Sequence, residues 1–306
     1  MAAAKGNADI IRVMLWSTPR SVSTSFLQCM TNIANSQGWH EPYWMTFQIS
    51  NYGKHRKAAL TLLSRTWLDQ DGAIDTDTIG LEIAGGYWAA DKSYSWLKDQ
   101  LQRVPPDNKN IVFCKDFAAG LEGMYEYLPD GFRHSFLIRH PYKVLESWER
   151  MINRGIENES KRMKISELPE FLLPPGLFFK EQYDLYQHVK KHYEPNPVII
   201  DIDDLLTDPG RVLKVYCQAV GIPYSDDLLQ WKPGQESMDQ QWMVAKELIY
   251  YQNFANFHME TFASTCFGKP TKVPDRAELS DDVRHCADIC MEYYEAMYAN
   301  KLEVKN

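Results

Sequence analysis

The sequence predicts an α/β protein with a doubly wound parallel sheet that is flanked by helices. Short apolar runs recur along the chain, and a segment with helical spacing of its apolar residues follows each of them. Strands that are buried on both faces of a parallel sheet have this continuous apolar character, and the helices between them form the crossovers. The length of 306 residues, of which 44% are hydrophobic, is enough for one large core, so a single domain over residues 1–306 is expected.

Four apolar runs and one less regular run are predicted as strands. They are 10–16 (IIRVMLW), 111–114 (IVFC), 135–138 (SFLI), 198–202 (VIIDI) and the less regular 38–44 (GWHEPYW). The first four are apolar along almost their whole length and end where polar residues begin. The polar residues that follow them are therefore expected together at one edge of the sheet, where the carboxyl ends of parallel strands meet.

Four segments are predicted as helices from the spacing of their apolar residues, at 22–33, 140–152, 207–222 and 280–301. Their ends carry ordinary start and stop signals. Pro141 and Pro209 stand in first turns, where proline is favoured, and Gly221 follows the third helix. Ser280 is the expected cap of the last helix.

Two regions fit the alternation of strands and helices less well. Residues 45–105 are rich in Trp, Tyr and Gly, and residues 155–180 hold a charged stretch followed by LPPGLFF. Both are interpreted as helical insertions that act as lids over a pocket, or alternatively as helices packed on the flank of the sheet.

Composition excludes several classes of partner. The net charge of −8 argues against bulk attraction to nucleic acid or to an anionic membrane. The amino-terminal MAAAKGNADI lacks the apolar segment of a signal peptide, and no run approaches the length of a membrane span, so a cytoplasmic location is expected. The six cysteines are expected as reduced thiols, with Cys286 and Cys290 of "HCADIC" as a helix-packed pair rather than a metal site. The oligomeric state is left open, with a homodimer as one option.

The segment LWSTPRSVSTSF, residues 15–26, has the composition of an anion site. Amide groups and the dipole at a helix N-terminus favour negative charge, and Arg20 adds a fixed cation among six hydroxyl side chains. A serine-rich helix cap without a ligand is the alternative. The glycines and the lysine of a nucleoside-triphosphate loop are missing, so an anion that needs no metal ion is expected.

At this point the sequence resembles the sulfotransferases, which use 3′-phosphoadenosine 5′-phosphosulfate and have a P-loop-like α/β fold. The run T18-P-R-S-V-S-T24 is similar to their 5′-phosphosulfate loop, with Arg20 at the position of the family's lysine. The resemblance implies that the loop residues bind this nucleotide: Ser17, Thr18, Pro19, Arg20, Ser21, Val22, Ser23 and Thr24. The tryptophan that stacks on adenine in the cytosolic enzymes is replaced by Ser25.

A second motif supports the resemblance. In "LIRHPYKVLES", Arg139 follows a predicted strand and Ser147 follows it by eight residues, which is the spacing of the family's 3′-phosphate site. The later segment DIDDLLTDP resembles another family element, and "WKPG" with Lys232 echoes a late Arg-Lys-Gly loop that contacts the same phosphate. Along the helix after Arg139, the cations and Ser147 share one face, which either helps to bind this phosphate or is a solvated stripe: Lys143, Ser147, Arg150 and Arg154.

The resemblance implies transfer of a sulfonate group to a hydroxyl or amine of a small-molecule acceptor, with adenosine 3′,5′-bisphosphate as the product and no metal ion. Arg20 is the candidate for stabilising charge on the leaving phosphate. Lys115 of "FCKDF" is a second candidate, and a surface lysine paired with Asp116 is its alternative reading. A nucleotide-dependent phosphotransferase and a non-catalytic nucleotide-binding protein on the same fold remain alternatives.

The acceptor hydroxyl needs a group that takes its proton, and "WHEPYW" offers His40 and Glu41. Glu41 matches the position of a catalytic glutamate in a bacterial relative of the sulfotransferases, and His40 is the rival. Alternatively both residues hold only the turn at Pro42. The aromatic stretches near four residues are candidates for lining an acceptor pocket, or alternatively belong to the core: Trp44, Tyr87, Trp88 and Phe178.

Overall fold

A single parallel sheet organises the protein. The computed structural model describes residues 10–49, 86–89, 92–233, 242–246, 261 and 263–304. Six strands pair in the order β5-β4-β1-β3-β2-β6, and every strand pairing in these residues is parallel. The strands are β1 (Ile11–Ser17), β2 (Ser36–His40), β3 (Ile111–Asp116), β4 (Arg133–Ile138), β5 (Val198–Asp201) and β6 (Trp242–Val244). The predicted α/β class with a parallel sheet is confirmed.

Eight α-helices accompany the sheet in the described residues. They are α1 (Ser23–Thr31), α2 (residues 42–49), α3 (Tyr94–Gln102), α4 (Pro141–Ile152), α5 (Phe179–His192), α6 (Ile202–Thr207), α7 (Pro209–Val220) and α8 (Asp281–Tyr298). The predicted helix ends are present, since Gly221 has a φ of 79° and Ser280 accepts from Val283 N. At the start of α7 the Asp208 side chain accepts from Arg211 N at 3.1 Å. None of the helices in these residues is both long and apolar enough to cross a bilayer.

The chain reverses its direction across the sheet between β1 and β4. After β1 it moves towards β3 and β2 on one side, and after β4 it moves to β5 on the other. In open α/β sheets, the loops that follow two strands at such a reversal leave in opposite directions and form a crevice at the carboxyl edge. Ligands of open α/β sheets bind at such a reversal point, so the fold predicts a ligand site at residues 17–22 and 139.

The five predicted strands differ from their predicted bounds by one to four residues, and two of the differences have a clear local cause. β2 ends at His40 because Glu41 takes a left-handed backbone, with a φ of 51°, and α2 starts at Pro42. β5 ends at Asp201 because the Asp201 side chain accepts from Asp203 N at 2.9 Å and so caps α6, whose first residue is Ile202.

Residues 155–178 form short 3-10 turns rather than an α-helix. The backbone amide of Ile165 donates to the Asp282 carboxylate of α8 at 2.6 Å, and Ile165, Phe171 and Phe178 are buried. The segment therefore packs on the flank of the core. Of the other predicted insertion, residues 50–85, 90 and 91 lie outside the described residues.

The cysteine predictions agree with the structure. Cys286 and Cys290 lie one turn apart on α8 with both side chains in the core, whereas His285 is exposed on the same helix. This arrangement confirms the helix-packed pair. All six cysteines are free thiols, and Cys266 is exposed while the other five are buried.

Candidate active site

The polar residues that follow four neighbouring strands meet at the carboxyl edge of the sheet. Leu15 of β1 is in register with Lys115 of β3, and His40 of β2 is in register with the same lysine. Ser17 at the end of β1 is in register with Leu137 of β4, two residues before Arg139. The register therefore brings together the ends of β1, β2, β3 and β4, which carry most of the predicted site residues.

The loop after β1 is held in an unusual backbone conformation. Arg20 and Val22 both have left-handed backbones, with φ values of 64° and 61°. The Ser21 hydroxyl donates to Thr18 O at 2.5 Å and closes the turn from within. Left-handed conformations are costly for an arginine and more so for the β-branched valine, and they cluster at ligand-binding turns. The loop is thus a preformed turn that leads directly into α1 at Ser23.

Three buried polar atoms beside this loop have no hydrogen-bond partner within the part of the chain that the structure describes. They are Ser17 Oγ, Thr18 Oγ1 and Arg139 Nε. Buried polar atoms in proteins are nearly always hydrogen-bonded, and leaving one unpaired costs about 1–3 kcal/mol. The cluster of unpaired hydroxyl and guanidinium groups suits an anionic ligand that accepts several hydrogen bonds.

The two predicted phosphate motifs contact each other directly. The Arg20 side chain donates from Nε to Ser147 Oγ of α4 at 3.0 Å, and Arg139 donates from Nη1 to Arg20 O at 2.5 Å. Burial lowers the pKa of Arg139, which stays a cation because its ordinary value is so high. Residues more than a hundred positions apart are therefore joined across the crevice between β1 and β4. His140, the residue after Arg139, accepts from Tyr142 N at 3.2 Å and caps α4.

A buried charged pair lies at the ends of β2 and β3. The Lys115 ammonium group, on a side chain 1% exposed, donates to Glu41 Oε1 and lies 3.8 Å from the centre of the Phe117 ring. The reading of Lys115 as a surface lysine paired with Asp116 is wrong, because register with β2 turns its ammonium group to Glu41. Burial lowers the pKa of Lys115, and the neighbouring Glu41 carboxylate opposes that shift.

His40 joins the same pair from the end of β2. Its Nε2 atom lies 3.5 Å from Glu41 Oε1, and its ring stacks on Trp242 with centroids 5.7 Å apart. Burial, and then the charge of Lys115, hold the pKa of His40 well below its usual range. His40 is therefore a neutral imidazole at neutral pH.

A cavity of about 340 Å³ adjoins Arg139. Its walls are α4 and the segment before α8, and they are formed by Arg139, Lys143, Glu146, Arg150, Thr271, Lys272, Val273, Pro274, Asp275 and Glu278. The Lys143 ammonium group pairs with the Asp203 carboxylate at 2.6 Å and also donates to Thr271 O, which ties this segment to α4. Arg150 pairs with Glu146 at 3.0 Å. Of the cations on the predicted basic face of α4, Lys143 is buried and paired, whereas Arg150 and Arg154 are exposed, so the face is solvated in part.

The family assignment rests on the comparison with sequence families. The family described as Sulfotransferase domain matches residues 109–301, which is more than half of the chain. This chain belongs to the sulfotransferase domain family. The match begins after the loop at 17–24 and after Glu41. The assignment of those residues to the candidate site therefore depends on the geometry described above and not on the family match.

Two further proteins resemble this sulfotransferase family member over most of its length. "Branched-chain-amino-acid aminotransferase-like protein 2" and "Branched-chain-amino-acid aminotransferase-like protein 1" of Arabidopsis thaliana are each 24% identical, over 85% and 87% of this chain. The matches cover 36% and 38% of those proteins, so the chain spans little more than a third of their length.

Two solved sulfotransferase domains also match. "Sulfotransferase Domain from the Curacin Biosynthetic Pathway" is 16% identical over 92% of this chain and 98% of that domain, with a TM-score of 0.41. "Sulfotransferase Domain from the Synechococcus PCC 7002 Olefin Synthase" is 14% identical over 97% of this chain and 98% of that domain, with a TM-score of 0.42.

The residues just before Lys232 of this family member contact the carboxyl end of α1 and the segment at Thr265. The preceding Trp231 donates from its backbone to Thr265 O at 2.9 Å, and Gln230 O accepts from Asn32, which follows the carboxyl end of α1. The phosphate loop leads into the opposite end of that helix. Lys272, which the sequence reasoning missed, lines the cavity beside Arg139 instead. The only sequence signal for it is a lysine shortly before the last helix.

The predicted aromatic residues fall into two groups. Phe178 contacts Trp44, Phe117 and Trp148, with ring centroids 5.0, 5.6 and 6.2 Å apart. This aromatic cluster adjoins Lys115 through Phe117. Tyr87 packs elsewhere, at 5.9 Å from Trp39, and forms a parallel bridge with Ala245, the residue after β6. Trp88 is 40% exposed.

Proposed function

We propose that this protein transfers a sulfonate group from 3′-phosphoadenosine 5′-phosphosulfate to a hydroxyl or amine of a small-molecule acceptor. The observation that carries the proposal is the cluster of unpaired buried donors at Ser17, Thr18 and Arg139 on the crevice between β1 and β4. A nucleotide with phosphate groups at both its 5′ and 3′ positions offers acceptors to each of them. Membership in the sulfotransferase domain family supports the same nucleotide class.

The loop and the cavity are proposed to bind different parts of the nucleotide. The 5′-phosphosulfate is assigned to the turn at residues 17–24, where a left-handed backbone and a helix N-terminus favour an anion. The 3′-phosphate is assigned to Arg139 and Ser147, with Lys272 as a further cation on the adjoining cavity wall. Lys232 is not included in this proposal, because its neighbours contact the other end of α1.

The nucleotide supplies an activated sulfonate group, and the chain supplies charge and proton transfer. Arg20 is proposed to stabilise negative charge on the leaving phosphate oxygen. Its guanidinium group remains protonated and acts as a donor and a fixed charge, not as an acid. Lys115 is proposed to provide a second positive charge beside the reacting groups.

Glu41 is proposed to accept the proton of the acceptor hydroxyl. The Glu41 carboxylate is paired with Lys115, and that contact holds it at the ends of β2 and β3, beside the reacting groups. His40 is neutral and chemically able to act as a base, but its ring is completely buried and stacked on Trp242. The greater burial of His40 favours Glu41 for direct contact with the acceptor. The aromatic cluster of Trp44, Phe117, Trp148 and Phe178 is proposed as an apolar wall on the acceptor side.

Transfer of label from a sulfur-35 donor tests the proposed reaction. The wild-type protein is expected to move label from 3′-phosphoadenosine 5′-phosphosulfate to members of a panel of phenols, aliphatic alcohols and amines. Glu41→Gln should reduce the rate by a factor of about 10² or more, because general base catalysis contributes that much. The exposed control variant Glu157→Gln should keep the wild-type rate. Absence of transfer by the wild type, or an unchanged rate in Glu41→Gln, would contradict the proposal.

Single-domain organisation, a small-molecule acceptor and a cytoplasmic location stay predictions. The acidic net charge of −8 continues to argue against nucleic acid as the partner. Phosphate transfer from a nucleoside triphosphate is distinguished in the same assay, because label from phosphorus-32 in ATP would then reach the acceptor and label from the sulfur-35 donor would not.

A further inference from the structure

The N-terminus of α2 is capped by a side chain from another element. Glu41 is the residue before α2, and its carbonyl accepts the first helical hydrogen bond, from Met45 N at 2.9 Å. In most helices the side chain at this position also caps the first free amides. Here the Glu41 side chain does not do so, because it points to Lys115.

Asp116 at the end of β3 provides the missing cap. Its carboxylate accepts from Tyr43 N at 2.6 Å and from Trp44 N at 3.2 Å, which are the first two amides of α2 because Pro42 has none. The same carboxylate accepts from its neighbour Phe117 N at 2.7 Å. Asp116 is completely buried, and both of its carboxylate oxygens accept hydrogen bonds from backbone amides.

The turn between β2 and α2 is thereby fixed from both sides. Glu41 N donates to Lys115 O at 2.7 Å and extends the β2–β3 ladder by one residue, while Asp116 holds the helix that follows. Between the two, Glu41 keeps a left-handed backbone that is unfavourable for a residue with a side chain. Such a conformation persists only where the surroundings enforce it.

We propose that Asp116 is a positioning residue, whose carboxylate caps α2 in place of Glu41 and so leaves the Glu41 side chain available to Lys115. The inference rests on the proposed role of Glu41 as proton acceptor. In this arrangement the adjacent residues have separate roles. Lys115 lies at the reacting groups, and Asp116 holds the helix that follows Glu41. Loss of the Asp116 carboxylate frees the first turn of α2 and allows Glu41 to become an ordinary cap, away from Lys115.

A matched pair of variants tests this role. Asp116→Asn retains the size of the side chain but places an amide NH₂ against backbone donors. Asp201→Asn is the control, because Asp201 is also a buried aspartate at a strand end that caps the next helix, through Asp203 N at 2.9 Å, and neither Glu41 nor Lys115 contacts it. Asp116→Asn is expected to lower kcat at least tenfold with less than a twofold change in the Kd of adenosine 3′,5′-bisphosphate. Asp201→Asn is expected to keep kcat at saturating donor within twofold.

A second measurement does not depend on the proposed activity. Amine-reactive labelling followed by mass spectrometry reports the accessibility of Lys115, which is 1% exposed in the wild type. In Asp116→Asn, labelling of Lys115 should rise at least tenfold as its pairing with Glu41 is lost. Lys143, another buried lysine, pairs with Asp203 and should keep its wild-type labelling rate, which distinguishes local release from general unfolding.

The outcomes separate the two claims. If the wild type transfers no sulfonate but labelling of Lys115 rises in Asp116→Asn, the result supports the positioning role and contradicts the proposed function. Unchanged labelling of Lys115, or an unchanged kcat in a folded Asp116→Asn, overturns the positioning role. If Asp116→Asn does not fold, Asp116→Ser replaces it with the same expectations, because its hydroxyl still accepts one hydrogen bond in a smaller side chain.

Discussion

At the scale of single residues, Lys272 and Lys232 are rival candidates for a cation that contacts the 3′-phosphate of the nucleotide. The pattern "WKPG" pointed to Lys232, whereas the cavity beside Arg139 is lined by Lys272. Lys272→Ala is expected to weaken binding of adenosine 3′,5′-bisphosphate by about 1 kcal/mol, a factor of about five, because one charge-assisted contact to phosphate is lost. Titration calorimetry of both alanine variants measures this difference. An effect of Lys232→Ala larger than that of Lys272→Ala would restore the sequence assignment.

The buried ring of His134 is expected to make the free energy of unfolding depend on pH. The ring is buried in β4, where its Nδ1 accepts from Trp16 Nε1 at 3.1 Å, and burial lowers the pKa of His134 to about 3. The unfolded chain binds a proton at this histidine below about pH 6.5, while the native protein does not until about pH 3. The free energy of unfolding therefore falls on acidification through this window, by up to about 1.4 kcal/mol per pH unit from this group.

Chemical denaturation of His134→Asn at several pH values checks this expectation. Asparagine retains an acceptor for Trp16 but does not titrate, so the slope of the free energy of unfolding against pH should be smaller between pH 6.5 and pH 4. The comparison uses slopes, so a uniform loss of stability in the variant does not affect it. Identical slopes in the two proteins would show that His134 is protonated in the native state.

At the scale of elements, the turn at residues 118–121 lies in close contact with the backbone of α2. A Cβ atom on Gly120 would lie 2.5 Å from Trp44 N and 2.7 Å from Tyr43 C. Both atoms are backbone, so no side-chain rotation relieves the overlap, and Gly120→Ala is expected to cost about 1–3 kcal/mol of stability. Gly268→Ala is the control, because a Cβ there meets nothing within 4 Å and should change stability by less than about 0.5 kcal/mol. Equal unfolding midpoints for the two variants would contradict the described packing.

Elements with a regular apolar pattern were predictable from sequence, and the others fail for identifiable reasons. α5 was missed because Gln182 occupies an inward position, where its amide donates to Leu137 O at 3.0 Å and interrupts the apolar stripe. β6 was missed because its three residues are held by distant contacts. Trp242 donates to Thr31 Oγ1 at 2.8 Å and packs where Gly38 has no side chain.

The candidate site was predictable in its parts but not in its pairings. The loop at 17–24, Arg139 and Ser147 follow from local motifs, since each motif lies at a strand end. The pairing of Lys115 with Glu41 depends on the register between β2 and β3, and the predicted β2 extended past Glu41 as a strand. The capping of α2 by Asp116 has no local signature, because the cap lies 73 and 72 residues along the chain from the two amides that it binds.

At the scale of the whole molecule, the site joins the two halves of the sheet. The loop after β1 belongs to the half that continues to β2 and β3, and Arg139 belongs to the half that continues to β5. The hydrogen bond from Arg139 to Arg20 O connects these halves before any ligand arrives. A ligand that accepts from both is expected to stabilise the folded protein as a unit, since it binds the native state and not the unfolded chain.

Thermal unfolding in the presence of adenosine 3′,5′-bisphosphate tests this central claim most directly. At a ligand concentration of 100 times Kd the wild type should gain about 2.7 kcal/mol of stability. Arg139→Ala should lose most of that gain, whereas the control Arg133→Ala, at the other end of β4, should retain it. The absence of a shift in the wild type, an undiminished shift in Arg139→Ala, or a larger shift with magnesium ATP would contradict the account.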